Sequence, residues 1–482
     1  AAQVVHHLRR VAVVNPGGLH GDTTQVMNYL RGDRTHEGTL FRVRTGLIGA
    51  IINSEPAVDR KKSVVYVQSG EGMLHAIDTE VATAGQELWA FVPRSVLASL
   101  GETVQRGYVF TTRLDGSPSL GTGSGGKTML VAGTGAAGRS FHALDVSNPR
   151  GLTEATLASR YMWEFPDAAD AVTQAKVGLA MGRARIVKTA GDGYVVLVTS
   201  GYANDDGRGR LWMLDADTGA IVHEFDTGVG APGAGDAGLA QVSAFLEDDG
   251  TVRYAYGGDL LGNLWRFDLQ GKGAPVKLAE LRDSLGNRQP VTAAPELAMI
   301  ENKRVVIVGT GRMLGIGDFG STRVQTMYAI SDGVPLANPR AALVAQVYNP
   351  GTDSLSSNPV DWSTDRGWYV DLPAGEQANT QPTIAYGAVA FTTNTAGASD
   401  CTASSRLYVF DVTSGSKFEG AGFVSTLISD SANSSGVTAL ATSGQKIVGS
   451  GQDSDGNPWE REIVSKTLID PAKNAWREIR RR

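Results

Sequence analysis

One short phrase recurs six times along this chain: an aliphatic or aromatic strand that ends at an aspartate, or once at a serine. The first five copies each follow a second apolar run that ends in glycine, as VVYVQSG precedes LHAID and VVLVTSG precedes LWMLD. Such a unit cannot bury its apolar face alone, so successive copies must pack against one another. The repeat therefore predicts an all-β chain of the β-propeller type. The copies end at Asp78, Asp145, Asp215, Asp268, Ser331 and Asp411.

The number of copies sets the expected size of the propeller. Six visible copies and an irregular closing strand predict about seven blades, with irregular insertions between them. The chain contains 60 glycines, as many tight turns require. We expect a helix-containing segment over 1–45, packed on a single closed ring over 46–482. The longest stretch without the repeat, 334–382, predicts an inserted hairpin.

A short N-terminal helix is predicted over 22–31, with the sequence DTTQVMNYLR. Asp22 can cap it, and Gly32 follows as a stop that requires a left-handed backbone. The apolar residues of this segment fall on one face of a helix. Its predicted buried stripe consists of Val26, Tyr29 and Leu30.

The charge balance and the hydropathy pattern exclude two classes of partner. A net charge of -6 argues against nucleic acid, which would require a concentrated basic face. No apolar run is long enough to span a membrane, and the first residues lack the apolar core of a signal peptide. The one cysteine, Cys401, can form neither an intramolecular disulfide nor a zinc site by itself.

The run GTGSGGKT matches the phosphate-binding pattern in its letters only. That motif acts after a buried strand and at the start of a helix, whereas here a strand follows it. A loop between strands is the interpretation that we adopt. His75 and His142 occupy equivalent places in two copies of the repeat, which favours a structural role. No nucleophile elbow or catalytic triad pattern is present.

Acidic loops offer candidate calcium ligands. Asp453, Asp455 and Asn457 alternate along one Gly-containing loop, as oxygen ligands of calcium commonly do. Glu247 and Asp249 fall in a second such loop. Asp, Asn and Gly are also the usual residues of hairpin turns, so both interpretations stay open.

Arg31, Gly32 and Asp33 spell RGD, a tripeptide that many extracellular ligands present to integrins. A structural interpretation competes, because Gly32 also ends the predicted helix. A carboxylate at a helix C-terminus is disfavoured by the helix dipole, so Asp33 needs a compensating partner. We expect that partner to be Arg34 or Arg42.

Several long phrases resemble one known family. YLRGDRTHEG, GLIGAIINSEP, YVQSGEGMLHAID and YGGDLLGNLWRFDL occur in the order found in the C-terminal propeller domain of the PilY1/PilC proteins of type IV pili. The resemblance covers nearly the whole chain. It implies a modified seven-bladed propeller, secretion, and a location at the pilus tip, cell surface or outer membrane. It also implies partnership with minor pilins and other pilus components, and with host receptors or surfaces.

The resemblance further implies a calcium loop just before the GDL-GNLW strand. The corresponding alternate positions are Phe245, Glu247, Asp249, Thr251 and Arg253. Phe245 supplies no side-chain oxygen, and Arg253 places a cation where the family has a carboxylate. We therefore expect no calcium at this loop and no required cofactor, and we place any calcium first at Asp453, Asp455 and Asn457. An Arg253 salt bridge to Asp249 or Glu247 would replace the ion.

The function that follows is non-enzymatic: a pilus biogenesis factor and tip adhesin that supports assembly, opposes retraction and serves attachment or twitching motility. A quinoprotein dehydrogenase is the alternative from the enzymes, since those propellers share the strand–Asp–turn–Gly pattern. Many of them use a vicinal disulfide, which one cysteine does not allow. A sugar-binding propeller is the third candidate.

Overall fold

The computed structural model describes residues 11–13, 23–397, 402–443, 446–453 and 457–464. These residues form two compact units. One contains the described residues up to Ala240 with Leu246–Arg253 and Leu269–Lys272; the other contains Gln241–Phe245, Tyr254–Asp268 and the described residues from Gly273 onward. The helices are short: α1 Thr23–Leu30, α2 Arg94–Leu100, α3 Glu154–Ala158, α4 Ala171–Lys176 and α5 Pro339–Ala342.

Three sheets build the first unit, and apart from β1 their strands are paired in chain order. Sheet 1 contains β1 Val11–Val13, β2 Ala57–Asp59, β3 Val64–Ser69, β4 Met73–Asp78 and β5 Glu87–Val92, in the order β1-β5-β4-β3-β2. Sheet 2 contains β6 Ser119–Thr122, β7 Thr128–Gly133, β8 Phe141–Asp145 and β9 Tyr161–Phe165. Sheet 3 contains β10 Arg185–Thr189, β11 Gly193–Thr199, β12 Arg210–Asp215 and β13 Ile221–Asp226.

Four further sheets follow along the chain. Sheet 4 contains β14 Val242–Leu246, β15 Val252–Gly258, β16 Asn263–Asp268 and β17 Val276–Glu280. Sheet 5 orders β18 Glu296–Ile300, β19 Lys303–Gly309, β20 Thr326–Ser331, β24 Gly367–Asp371 and β21 Val344–Gln346. Sheet 6 contains β25 Thr383–Ala385, β26 Ala388–Ala396, β27 Ala403–Asp411 and β28 Ser425–Ser429, and sheet 7 contains β29 Ser434–Ser443, β30 Lys446–Asp453 and β31 Pro458–Val464.

Within the described ranges, seven sheets thus have three or more strands, which confirms the expected number of about seven blades. The hairpin β22 Tyr348–Asn349 with β23 Ser354–Leu355 forms a separate two-stranded sheet. It lies inside 334–382, where an inserted hairpin was predicted. The division into a segment over 1–45 and one ring over 46–482 stays a prediction.

The repeated phrase marks the third strand of a sheet in all six copies. Strands β4, β8, β12, β16, β20 and β27 each end at the last residue of the phrase. The carboxylate then closes the turn: Asp215 accepts hydrogen bonds from the backbone N–H and the hydroxyl of Thr218, at 2.8 and 2.7 Å. Asp411 does the same for Thr413 and Ser414. The repeat therefore reflects both the strand and its turn.

Tryptophans on outer strands join one sheet to the next within each unit. Trp163 of β9 donates its indole N–H to the carbonyl oxygen of Ala216, just after Asp215, at 2.8 Å. Trp89 of β5 donates in the same way to Pro149, and Trp368 of β24 to Val412. The ring of Trp163 also lies against Gly219, where a Cβ atom would come within 2.6 Å of it. A glycine is therefore required at that turn.

Helix α1 confirms the prediction made for its segment. Val26, Tyr29 and Leu30 are buried, each at most 4% exposed, in a cluster with α2 and with strands β4 and β5. Asp22, the predicted cap, lies outside the described residues. The apolar stripe thus fixes α1 on sheet 1 and α2, and with it the position of the RGD tripeptide.

Candidate functional site

The RGD tripeptide forms the C-terminal end of α1. Gly32 has φ +106°, its N–H donates to the Tyr29 carbonyl, and the Asp33 N–H donates to the Asn28 carbonyl, both at 2.9 Å. This pair of bonds is the Schellman ending of a helix, in which the residue after the last turn adopts a left-handed backbone. The prediction that Gly32 stops the helix is confirmed.

Partners within the same unit hold the two charged residues of the tripeptide. Arg31 makes a bidentate ion pair with Glu154, with both N–O distances at 2.6 Å. The expected partners of Asp33 were wrong, because its carboxylate accepts from the N–H and hydroxyl of Thr35, at 2.8 and 2.6 Å. These hydrogen bonds hold the pKa of Asp33 below its usual range. The short side chain of Asp33 reaches the donors of Thr35, two residues later in the chain. The prediction considered only cationic partners and therefore missed them.

The other arginines near the tripeptide have different partners. Arg34 pairs with Glu37, and Arg42 pairs with Glu71. Integrin recognition would require the Arg31 guanidinium, which is already held by both oxygens of Glu154. The geometry therefore favours the structural interpretation of Arg31, Gly32 and Asp33.

The loop between β14 and β15 is a closed hairpin turn. Glu247 donates its N–H to the Thr251 carbonyl at 2.8 Å, and Gly250 donates to the Glu247 carbonyl at 3.0 Å. Asp249 accepts from the N–H and hydroxyl of Thr251, which lowers its pKa. Phe245 is 3% exposed and packs in the apolar core, while Arg253 is exposed. Asp249 thus acts within the turn, and the absence of calcium from this loop stays a prediction.

The second candidate calcium loop has the same geometry as two other turns of the chain. Asp453 accepts from the Asn457 N–H at 2.8 Å and from its side-chain amide at 3.2 Å; Asp455 lies outside the described residues. Asp259 and Asn263 make the same two contacts, as do Asp283 and Asn287. All three turns read Asp-x-x-Gly-Asn: DLLGN, DSLGN and DSDGN.

Asp259 shows how completely such a turn satisfies its carboxylate. It is fully buried and accepts from the N–H groups of Leu261 and Asn263, the Asn263 amide and the Trp265 indole. Burial raises its pKa, and these donors oppose the rise. Asp453 and Asn457 form the same kind of clamp, and calcium at their loop stays a prediction. Within the described ranges, no group of three or more His, Cys, Asp or Glu side chains is placed to hold a metal.

The phosphate-pattern loop is a connection between β6 and β7, as the sequence interpretation expected. Lys127, which would contact a phosphate, forms an ion pair with Asp217 at 2.9 Å. The two histidines of the repeat are both fully buried. His75 contacts Glu87 and Ser69, whereas neither ring nitrogen of His142 has a partner. Burial lowers the pKa of His142 to about 3, so it is neutral.

One concave surface of the first unit is a cleft of about 1190 Å³ along β9. Four of the five residues of β9 line it, with residues of α2, of the β12–β13 turn and of α4. No motif in the sequence indicated this cleft, because its lining residues come from distant segments. The only local signal is the mixed apolar and charged strand YMWEF.

Comparisons with known proteins place this fold. A solved structure described as the Pseudomonas aeruginosa PilY1 C-terminal domain matches with a TM-score of 0.62 at 23% identity, covering 85% of this chain and 92% of that one. A family model for the PilY1 beta-propeller domain matches residues 49–280. The chain is therefore a β-propeller domain, with the seven sheets of three or more described strands as its blades.

Curated relatives agree with that class. A Xylella fastidiosa protein named "Type IV pilus biogenesis factor PilY1 homolog" is 31% identical over 86% of this chain and 33% of its own length. "Type IV pilus biogenesis factor PilY1" of P. aeruginosa strain PAK is 28% identical over 71% of this chain and 36% of its own length. The chain contains a PilY1 beta-propeller domain over residues 49–280 and is similar to curated PilY1 proteins over most of its length. It spans about a third of the length of these curated relatives.

Proposed function

We propose that this chain is the propeller of a non-enzymatic type IV pilus biogenesis factor. The observation that carries the proposal is the similarity along 86% of the chain to a relative named for that role. In the proposed role the propeller contacts minor pilins and other pilus components outside the cell, opposes retraction, and serves surface attachment and twitching. Among the described helices, none combines the length and apolarity that a membrane span requires.

Rigidity supports a binding role for this domain. Successive sheets are joined by Trp163, Trp89 and Trp368, and the turns are closed by their own carboxylates. Loops held by a rigid scaffold can present a fixed surface to a partner at little entropic cost.

Deletion of the full-length gene in the organism of origin tests the proposal. We expect surface pili and twitching zones to be lost, and the parental pilus number to return in part when the retraction motor is also deleted. The matched strains carry the full-length gene, or the gene without the propeller segment. Unchanged pilus number and twitching after deletion would disprove the role.

A second assay separates this role from the dehydrogenase alternative. The purified protein is mixed with pyrroloquinoline quinone, calcium, an alcohol and a redox dye. We expect no dye reduction above that of heat-denatured protein. Turnover with saturation in the alcohol would favour the enzyme.

A further inference from the structure

Two blades of this protein carry a fifth strand on their outer edge, and both added strands run parallel to the edge strand. Strand β1 pairs with β5 through Val11–Ala90, Ala12–Phe91 and Val13–Val92. Strand β21 pairs with β24 through Val344–Trp368, Ala345–Tyr369 and Gln346–Val370. The outer edge of a blade in this protein therefore accepts a short extended segment, and accepts it in one direction.

The outer edge of sheet 2 has no such strand among the described residues. Strand β9 is the last strand of its sheet and pairs only with β8 there. Alternate residues of an edge strand direct their N–H and C=O groups away from the sheet, where they can pair with another chain. Strand β9 also lies along the cleft of about 1190 Å³, so its edge is recessed.

The two flanks of β9 differ in chemistry. Toward sheet 3, Trp163 lies against Gly219, and the small residues Gly219 and Ala220 line the cleft. Toward sheet 1, the Tyr161 ring stacks on Phe91 at 6.2 Å, and Arg94 lies over Tyr161 at 6.0 Å. The Arg94 guanidinium is exposed and makes no ion pair with any described residue. One flank is thus lined by the small residues Gly219 and Ala220, and the other carries Arg94 beside the carboxylates of Glu164 and Asp167, so it is polar and of mixed charge.

We propose that the β9 cleft binds an extended segment of a partner protein, which adds as a fifth strand parallel to β9. Five residues of strand span about 17 Å, which sets the length of the paired segment. Successive side chains of a strand point to opposite flanks. The segment therefore alternates apolar residues toward Gly219 and Ala220 with polar residues toward Arg94 and Glu164.

A single strand fits this site better than the sheet of a second copy does. Edge-to-edge pairing of two sheets needs a flat, open edge. Here α2 and the β12–β13 turn both line the cleft around β9. Strand addition of this kind takes its affinity from main-chain hydrogen bonds and its specificity from alternate side-chain pockets. The inference rests on the sheet edge and does not depend on the pilus role.

Two variants test the site, one by filling the cleft and one by reversing a charge, and each has a matched control. Ala220→Trp places a ring in the cleft from an exposed turn position, and Ala84→Trp is the corresponding change in the exposed β4–β5 turn. Arg94→Glu reverses the charge of the arginine on the polar flank, and Arg106→Glu reverses an exposed arginine outside the cleft. Thermal melts of all four verify that they fold.

The probe is a phage-displayed library of linear dodecapeptides, panned on the full chain. An enriched sequence is then synthesised with a fluorescein label and titrated by polarisation. We expect sequences that alternate apolar and polar residues, whose affinity falls at least about tenfold in Ala220→Trp and Arg94→Glu and stays within about twofold in the controls. Hydrogen exchange of the Met162 or Glu164 amide should slow when the peptide binds.

Two outcomes would overturn the proposal. In one, the library yields no enriched sequence, or yields sequences whose affinity Ala220→Trp leaves unchanged. In the other, the protein forms a concentration-dependent dimer in sedimentation that Ala220→Trp abolishes, which would assign the edge to a second copy.

Discussion

The contact between Gly219 and Trp163 gives the sharpest test of how the blades are held together. Gly219 lies in the β12–β13 turn with φ +71°, and a Cβ atom there would be 2.6 Å from Cγ of Trp163 and 2.7 Å from its Cδ2. Ordinary contact begins near 3.4 Å, so the indole would have to move by almost 1 Å. That movement would stretch the 2.8 Å hydrogen bond from the indole N–H to the Ala216 carbonyl.

The expected cost of Gly219→Ala has three parts. A left-handed backbone costs an alanine about 1 kcal/mol. Overpacking of a buried site costs about 1–3 kcal/mol, and the weakened hydrogen bond costs about 1 kcal/mol. The free energy of unfolding should fall by about 3–5 kcal/mol in total.

Gly228→Ala is the matched control, because Gly228 has φ +68° but no atom within 4 Å of the added Cβ. It should lose only the backbone part, about 1 kcal/mol. Urea unfolding followed by far-UV circular dichroism measures both variants against the parent. Equal losses in the two variants would refute the claim that Trp163 fixes the glycine.

Three further predictions follow from the turns and the buried groups. Gly32→Ala should lower stability by about 1 kcal/mol, because Gly32 has φ +106°, while Asp33→Glu should leave the melting temperature nearly unchanged; selective loss of integrin binding in Asp33→Glu would instead favour the receptor interpretation. Calorimetric titration with calcium should show no binding site that Asp249→Ala removes. A site of micromolar affinity that is lost in this variant would show instead that the 245–253 loop binds calcium. The folded-state pKa of His142, about 3, lies below its unfolded value, so the unfolded chain binds more protons and stability should fall as pH drops from about 6.5 toward 3. His142→Phe should flatten this fall between pH 6.5 and 5, whereas His223→Phe, in a half-buried position, should flatten it less, and equal slopes for parent and His142→Phe would contradict the assignment.

The strand content was predictable because the repeat is local. A strand that ends at Asp215 and a turn that ends at Gly219 are both written within a few residues, and the structure places them as expected. The Asp-x-x-Gly-Asn turns were also detectable in the sequence, since the same spacing occurs at Asp259, Asp283 and Asp453. The prediction treated Asp453 and Asn457 only as calcium ligands and therefore did not identify the shared turn.

Long-range pairings could not be predicted in the same way. Glu154 is 123 residues from Arg31, and no local pattern announces their ion pair. Strand β1 pairs with β5, where Val11 lies opposite Ala90, and β21 pairs with β24, where Val344 lies opposite Trp368; no local pattern announces either pairing. The β9 cleft arises from segments that meet only in the folded unit, so its position followed from the structure alone.

The closure of a turn by its own carboxylate, as at Asp215 and Asp411, has a consequence for the order of folding. Asp215 and Asp411 find their hydrogen-bond donors within three residues, and most strands pair with the strand that precedes or follows them. Each hairpin can therefore form as soon as its own residues are available, without waiting for distant parts of the chain. A chain that emerges from its N-terminus can acquire its blades one after another, and every completed blade offers a template surface on which the next one assembles.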